Sequence, residues 1–238
     1  MKILAIDTSG KQAAAAIMDN YITIGEIMIN AQSGPKTFHH SQILMPAIER
    51  MFALSGLEIA QMDYVAYTSG PGSFTGIRIG ASTALGLARG INRPAIPVPT
   101  LDALAYNILC AKEGGLVVPL LDARKGQVYA AVYRQESGGL VKQTDYFADA
   151  IEAVIDQVKS FGEDVTYLGD GACANRPAIE ALHPKAAFVP PNANRQRAAS
   201  VALCALHQIE AGHKAENIEL IYVRDPEAVR NLAAKQKP

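Results

Sequence analysis

Thr68-Ser69-Gly70-Pro71-Gly72-Ser73-Phe74-Thr75-Gly76-Ile77-Arg78-Ile79-Gly80 limits the folds open to this 238-residue chain more than any other stretch. The apolar run Tyr64-Val65-Ala66-Tyr67 leads into it and reads as a buried strand. Gly-Pro-Gly cannot continue that strand, because proline has no ladder donor and glycine favours turns. Ser73 or Thr75 can then accept a hydrogen bond from a free N–H at a helix start. From Phe74 to Arg89 the pattern is helical, and Gly76, Gly80, Ala84 and Ala88 recur at every fourth position. That spacing lines them up on one face, where nothing larger than a methyl group holds a neighbour away. Three readings of the stripe stay open: a tight corner in the chain's own core, an anion site at the helix N-terminus, and a helix surface offered to a partner.

Spacing excludes three phosphate or nucleophile motifs here. A Walker loop needs Gly-Lys-Ser/Thr, and the stretch has no lysine. Thr75 occupies the third glycine position of a dinucleotide G-x-G-x-x-G, and Phe74 sits where a G-x-S-x-G elbow needs serine.

The net charge of -1 supplies no long-range attraction to nucleic acid or to an anionic membrane. An RNA substrate would therefore draw most of its phosphate contacts from another subunit. Cys110, Cys173 and Cys204 are odd in number and far apart, which reads as reduced core thiols rather than a disulfide frame or a zinc site. The opening Met1-Lys2-Ile3-Leu4-Ala5-Ile6 is stopped by Asp7, too soon for a signal sequence, and no apolar run reaches membrane-spanning length. The expectation is a soluble, cytoplasmic protein.

The order of elements is repeated along the chain. In the first half, Lys2 to Ile6 reads as a strand ending in Asp7-Thr8-Ser9-Gly10, and Ala13 to Met18 and Tyr21 to Ile29 as a hairpin across Asp19-Asn20. A Gly/Pro/Lys loop follows at 33–37, then a helix from His39-His40-Ser41 that contains Pro46. The glycine corner comes next, with a short strand Ala95 to Val98 and a helix capped by Thr100 that runs through Ala111. Leu116 to Leu121 then repeats the first strand and ends in Asp122-Ala123-Arg124-Lys125-Gly126. Gln127 to Tyr133 and Leu140 to Phe147 read as a strand pair, Ala148 to Phe161 as a helix, and Val165 to Gly171 as a strand entering a Gly-x-Gly turn. Ala187 to Val189 reads as a last short strand, and Ala198 to Ala211 as a strong apolar helix.

A duplicated unit of this kind predicts two α/β lobes facing a cleft, with Asp7 and Asp122 at its flanks. The order resembles the ribonuclease-H-like fold of the actin-like ATPase and sugar-kinase superfamily (ASKHA), whose paired halves hold ATP and a divalent metal. The implied fold is two lobes, 1–100 and 101–238, each with a mixed five-stranded sheet flanked by helices. The helix at 196–212 is a candidate to pack back on the first lobe.

A closer resemblance rests on particular residues. Asp7-Thr8-Ser9, His40-Ser41 before Leu44-x-Pro46, the glycine stretch from Gly70 to Gly80, and Leu121-Asp122-Ala123-Arg124 with Val128-Tyr129 are similar to the TsaB (YeaZ) family. Ile221-Tyr222-Val223-Arg224 resembles that family's Pro-x-Tyr-Leu-Arg without its proline. The resemblance implies a bacterial protein needed for threonylcarbamoyladenosine in tRNA. It also implies pairing with a catalytic TsaD-like paralogue through first-lobe helices, together with a TsaE-like ATPase. Self-association through the same helices is implied too, with tRNA reached only through the complex and no membrane partner. The residues expected at such an interface are His40, Ile43, Leu44, Ala47, Met51, Gly76, Gly80 and Ala84.

The residues argue against independent chemistry. TsaD-like enzymes hold metal with histidines four apart on a helix, but Ile43 and Leu44 lie four beyond His39 and His40, so no metal site is expected. Asp7, Thr8, Ser9, Asp122 and Arg124 are candidate phosphate ligands, with Arg124 alternatively an ion-pair partner of Asp122. Superfamily ATPases carry a glycine-rich turn where this chain has Ala123-Arg124-Lys125, so ATP or ADP is expected weakly at most, at the partner interface. Asp102 reads as a first-turn carboxylate suited to the helix dipole, and Arg230, Lys235 and Lys237 as a solvated basic tail. No catalytic residue is assigned. The expected function is a non-catalytic scaffold. The alternatives are a stand-alone ATPase or kinase of the same superfamily and a metal-dependent glycopeptidase-like enzyme.

Overall fold

β1 (Lys2–Asp7) has apolar side chains on both faces, so it must be covered twice. A computed structural model of the chain describes residues 1–30, 39–109, 114–136, 139–162, 164–213 and 220–224. The loop at 33–37, Cys110 and the tail residues Arg230, Lys235 and Lys237 lie outside them. The first half runs β1, β2 (Gln12–Asp19), β3 (Ile22–Asn30), α1 (His40–Ser55), β4 (Tyr64–Gly70), α2 (Phe74–Gly90) and β5 (Ala95–Pro99). Its sheet has the order β3-β2-β1-β4-β5, antiparallel on the hairpin side and parallel from β1 through β4 to β5.

The second half follows α3 (Thr100–Ala105). It runs β6 (Leu116–Asp122), β7 (Gln127–Ala130), β8 (Tyr133–Glu136), β9 (Gly139–Lys142), β10 (Phe147–Ala150), α4 (Ile151–Lys159), β11 (Val165–Leu168), α5 (Asp170–Ala174), α6 (Arg176–Leu182), β12 (Ala187–Phe188) and α7 (Ala198–Glu210). Its five-strand path β10-β7-β6-β11-β12 repeats the first sheet's order and directions. The hairpin β8–β9 is added on β6, giving seven strands rather than five.

Strand alternation divides each half into two cores. Leu4 and Ile6 pack with Leu44, Met51 and Ala84 of α1 and α2. Ile3 and Ala5 point the other way, onto Val201, Ala202 and Ala205 of α7, which returns to the first sheet from the far end of the chain. In the second half, Val118 and Leu120 meet Val154 and Ile155 of α4, while Val117 and Leu121 meet Leu101 and Leu104 of α3.

Several boundaries depart from the sequence reading. The run expected as one strand at 127–133 is broken into β7 and β8, although Leu120↔Ala130 and Val117↔Tyr133 keep a single register. The gap lies opposite Pro119, which has no N–H to give the ladder. Phe147–Ala150 pairs with β7 as a strand, so the expected helix at 148 begins only at Ile151. Pro99 rather than Thr100 is the N-cap of α3, which tightens into a 3₁₀ turn at Tyr106–Ile108 instead of continuing as one helix. Pro46 stays inside α1 on its exposed side, where water can serve the carbonyl it leaves unpaired.

The small-residue stripe is an internal seam, not a partner surface. Gly76, Gly80, Ala84 and Ala88 are all buried. A Cβ on Gly76 would overlap the Thr8 carbonyl oxygen, and one on Gly80 would overlap the Thr8 hydroxyl. Ile43, Leu44, Ala47 and Met51, also expected at an interface, are buried inside the first lobe. Heptad-like spacing identifies an apolar face but not which neighbour covers it.

This seam generates a paired prediction. Gly76→Ala forces a Cβ against backbone and lowers the unfolding free energy by about 1–3 kcal/mol. Gly86 lies on the same helix with open space around its would-be Cβ, so Gly86→Ala raises stability by about 0.5–1 kcal/mol. Urea denaturation of both variants checks this; equal shifts would show that the stripe is not a packing seam.

Candidate functional site

The glycine corner joins β4 to α2 and holds the exit of β1 against it. Ser73 is the N-cap, its hydroxyl accepting the Gly76 N–H at 3.2 Å, so Thr75 is not the cap. The Gly70–Pro71 peptide is cis. Two bonds tie the strand end to the corner: the Ser73 N–H donates to the Ser9 carbonyl at 2.7 Å, and the Thr8 hydroxyl to the Gly76 carbonyl at 2.7 Å. Gly72 is required here because a Cβ would lie 2.5 Å from the Ser9 carbonyl oxygen. The corner's backbone is therefore closed by the chain's own atoms.

Asp7 is buried at the end of β1, beside the cleft-lining Ser9 and His40. It is 2 % exposed, and its Oδ1 accepts from the Ser9 N–H (2.8 Å), the Ser9 hydroxyl (2.6 Å) and the Thr68 hydroxyl (3.2 Å). Oδ2 is buried with no hydrogen-bond partner among the described residues. Burial pushes this carboxyl above the usual range, and the three donors only partly oppose that. Thr8 is equally buried, with its hydroxyl engaged by α2. Neither Asp7 nor Thr8 presents a group to a ligand, which corrects their reading as phosphate contacts.

Between the lobes lies a cleft of about 400 Å³. Ser9, Lys11 and His40 line its first-lobe side, and Asp122, Arg124 and Asp170 the other. Burial holds the His40 imidazole below its ordinary value, and its Nε2 has no partner among the described residues. Asp122 accepts the Arg124 backbone N–H at 2.7 Å, and its own N–H donates to Asp170 at 3.0 Å. Among the described ion pairs none joins the Arg124 guanidinium to Asp122, so the expected pair is a backbone turn instead. Arg124, Lys125 and Gly126 follow with φ of 61°, 56° and 74°. Such a run of left-handed residues is uncommon outside glycine.

The glycines of the first-lobe corner are already in contact with the chain's own backbone. Gly72 and Gly76, which could have let phosphate approach backbone, are filled by the Ser9 and Thr8 carbonyls. On the second lobe, side chains stand where a bare turn would be needed. What remains for an anion is the cationic rim of Lys11, Arg124 and Arg224.

Two features escape sequence reasoning. Residues Ile221–Arg224 lie across the cleft, with the Arg224 guanidinium donating to the Ala123 carbonyl at 3.0 Å and Tyr222 beside Phe74 and Arg78. Asp102, read as a helix-dipole residue, is a half-buried clamp: the Tyr133 and Tyr146 hydroxyls donate to its Oδ1 at 2.5 and 2.7 Å. Burial raises this carboxyl as well. Only the Tyr-Val-Arg resemblance signalled the first, and nothing local signalled the second.

The raised Asp7 carboxyl fixes a pH dependence. In the unfolded chain it titrates near about 3.9; in the folded chain it titrates higher. Between those values the folded state keeps a proton that the unfolded state has released, so stability falls as pH rises from about 4 through that interval. Asp7→Asn flattens part of this fall in the urea midpoint, and Asp102 keeps the rest. Identical slopes in the variant and the parent would show that Asp7 titrates normally.

Comparison with known proteins places this geometry. A family model described as TsaD, tRNA N6-adenosine threonylcarbamoyltransferase, matches residues 35–232. The tRNA threonylcarbamoyladenosine biosynthesis protein TsaB of Bacillus subtilis is 31% identical over 184 residues, 76% of each chain. TsaB of Escherichia coli is 34% identical over 140 residues, 59% of this chain and only 58% of that relative's length. The solved YeaZ of Pseudomonas aeruginosa superposes with a TM-score of 0.73 at 22% identity, covering 93% of this chain and 100% of that one, which establishes the shared fold. With its duplicated actin-like halves and its closed glycine corner, the chain belongs to the TsaB (YeaZ) family.

Proposed function

We propose that this chain serves the formation of threonylcarbamoyladenosine in tRNA as a non-catalytic subunit that docks a TsaD-type paralogue. The observation that carries this reading is the burial of Asp7 under hydrogen bonds from its own lobe. The carboxylate that an actin-like ATPase would aim at its cleft is held here by Ser9 and Thr68. A peptidase reading needs a ligand set, and the described residues bring no three His, Cys, Asp or Glu side chains together.

Docking falls to the outward faces of α1 and α2, since their small and apolar stripes are occupied. On α2, Phe74 is 38% exposed, and Thr75, Arg78, Ile79, Ser82 and Thr83 line a shallow depression beside it. A partly exposed aromatic beside an arginine, with Tyr222 against one side of the pair, suits a protein interface. Self-association uses the same face and so competes with the paralogue. A TsaE-type ATPase joins the pair, tRNA is bound through the assembly, and ATP or ADP is held weakly by the cationic cleft rim at the partner interface. No described helix is long and apolar enough to cross a membrane.

Reconstitution of tRNA modification from purified components tests the proposal. Modification is lost when this chain is omitted and restored by the parent and by Asp7→Asn. Thr75→Glu paired with Ser82→Glu, on the same face but clear of Tyr222, lowers it at least tenfold while leaving the circular dichroism spectrum native. ATP turnover by the isolated chain, abolished by Asp7→Asn, would overturn the reading in favour of an independent ATPase.

A further inference from the structure

Among the described residues, two of the connections between the lobes share no residue. One is the α3 region, where α3 packs on the second sheet and Asn107 receives the Ser200 hydroxyl of α7 at 2.6 Å. The other is the strap at 220–224. Its Leu220 packs on the first-lobe core, and the Ile221 N–H donates to the Ser69 carbonyl at 2.7 Å. Tyr222 accepts from Arg78 Nε at 3.0 Å, with its ring centroid 5.4 Å from that of Phe74. Arg224 then crosses to the second lobe and donates to the Ala123 carbonyl at 3.0 Å.

Gly70 is shaped for this strap. Its φ is +111°, a conformation L side chains rarely adopt, and a Cβ there would overlap the Ile221 carbonyl oxygen. The bare glycine at the end of β4 therefore lets the strap lie directly on the corner. Ile221 and Arg224 are only three residues apart, so the backbone between them reaches at most about 10 Å. With both ends bound, that short tether and one arginine side chain limit how far the end of β4 can separate from the end of β6.

We infer that residues 220–224 latch the two lobes, so that the cleft is held at a fixed width by the chain itself rather than by a ligand. The latch works by adding an attachment across the cleft to those made at the α3 region and by the 190–197 segment. Freed of it, the lobes turn about those attachments and the cleft widens. This inference does not rest on the proposed function, because it concerns the isolated chain.

Spin labels on Arg89→Cys of α2 and Gln157→Cys of α4, both exposed positions, report the lobe separation in a background with Cys110 and Cys173 replaced by serine. Double electron–electron resonance of the full chain should give one narrow distance distribution. Arg224→Ala, which removes the tie to the second lobe and leaves the first-lobe contacts in place, should broaden that distribution and shift it to longer distance. Tyr222→Ala should do the same from the other end. An unchanged distribution in Arg224→Ala overturns the latch, whatever Tyr222→Ala does. Because Arg224 is part of none of the four cores, its replacement leaves the native melting transition as a control for folding.

Discussion

The closeness of β1 to α2 is the constraint from which the rest of the structure follows. Thr8 and Ser9 approach the helix so nearly that Gly72, Gly76 and Gly80 have no room for a Cβ. Hydrogen bonds from Thr8 to Gly76 and from Ser73 to Ser9 hold that approach. A strand backbone lying against a helix backbone leaves no depth between them, and depth is what a phosphate site at this corner would require.

The consequence is a cleft between two similar halves whose first-lobe wall is closed by the chain's own backbone. Asp7 is enclosed by donors from its own turn, while Asp122, exposed on the other lobe, is engaged by the backbone of Arg124 and through Asp170. A buried carboxylate with one unpartnered oxygen destabilises the fold when ionised. Its retention therefore calls for a compensating role, and the polar cluster with Ser9 and Thr68 that pins the strand end supplies one. The duplicated halves close their glycine corners alike: Gly72 and Gly76 lie against the Ser9 and Thr8 carbonyls, and Gly169 and Gly171 against the Leu120 backbone.

Much of the architecture was legible because it is written in local pattern. The alternation in β1, the Gly-Pro-Gly stop after β4 and the repeated element order point to two similar lobes without reference to any distant contact. Errors collected where pairing decided the outcome. Phe147–Ala150 is a strand only because β7 lies beside it, and β7 and β8 separate only because Pro119 faces the gap between them. In the site, the residue types were visible but their burial was not, and Asp7, Thr8, Leu44 and Gly80 are all buried.

From the sequence alone came the duplicated plan, the family resemblance, and the certainty that the helix after Gly72 must lie very close to something. Propensity and periodicity act over a few residues, so they can specify such elements and their faces. Tertiary structure alone decided what that close neighbour is, that Asp102 is gripped by two tyrosines thirty-one and forty-four positions away, and that Ile221 returns to rest on Gly70. Those outcomes depend on contacts between residues remote in the chain, and no local pattern encodes which remote surface will arrive.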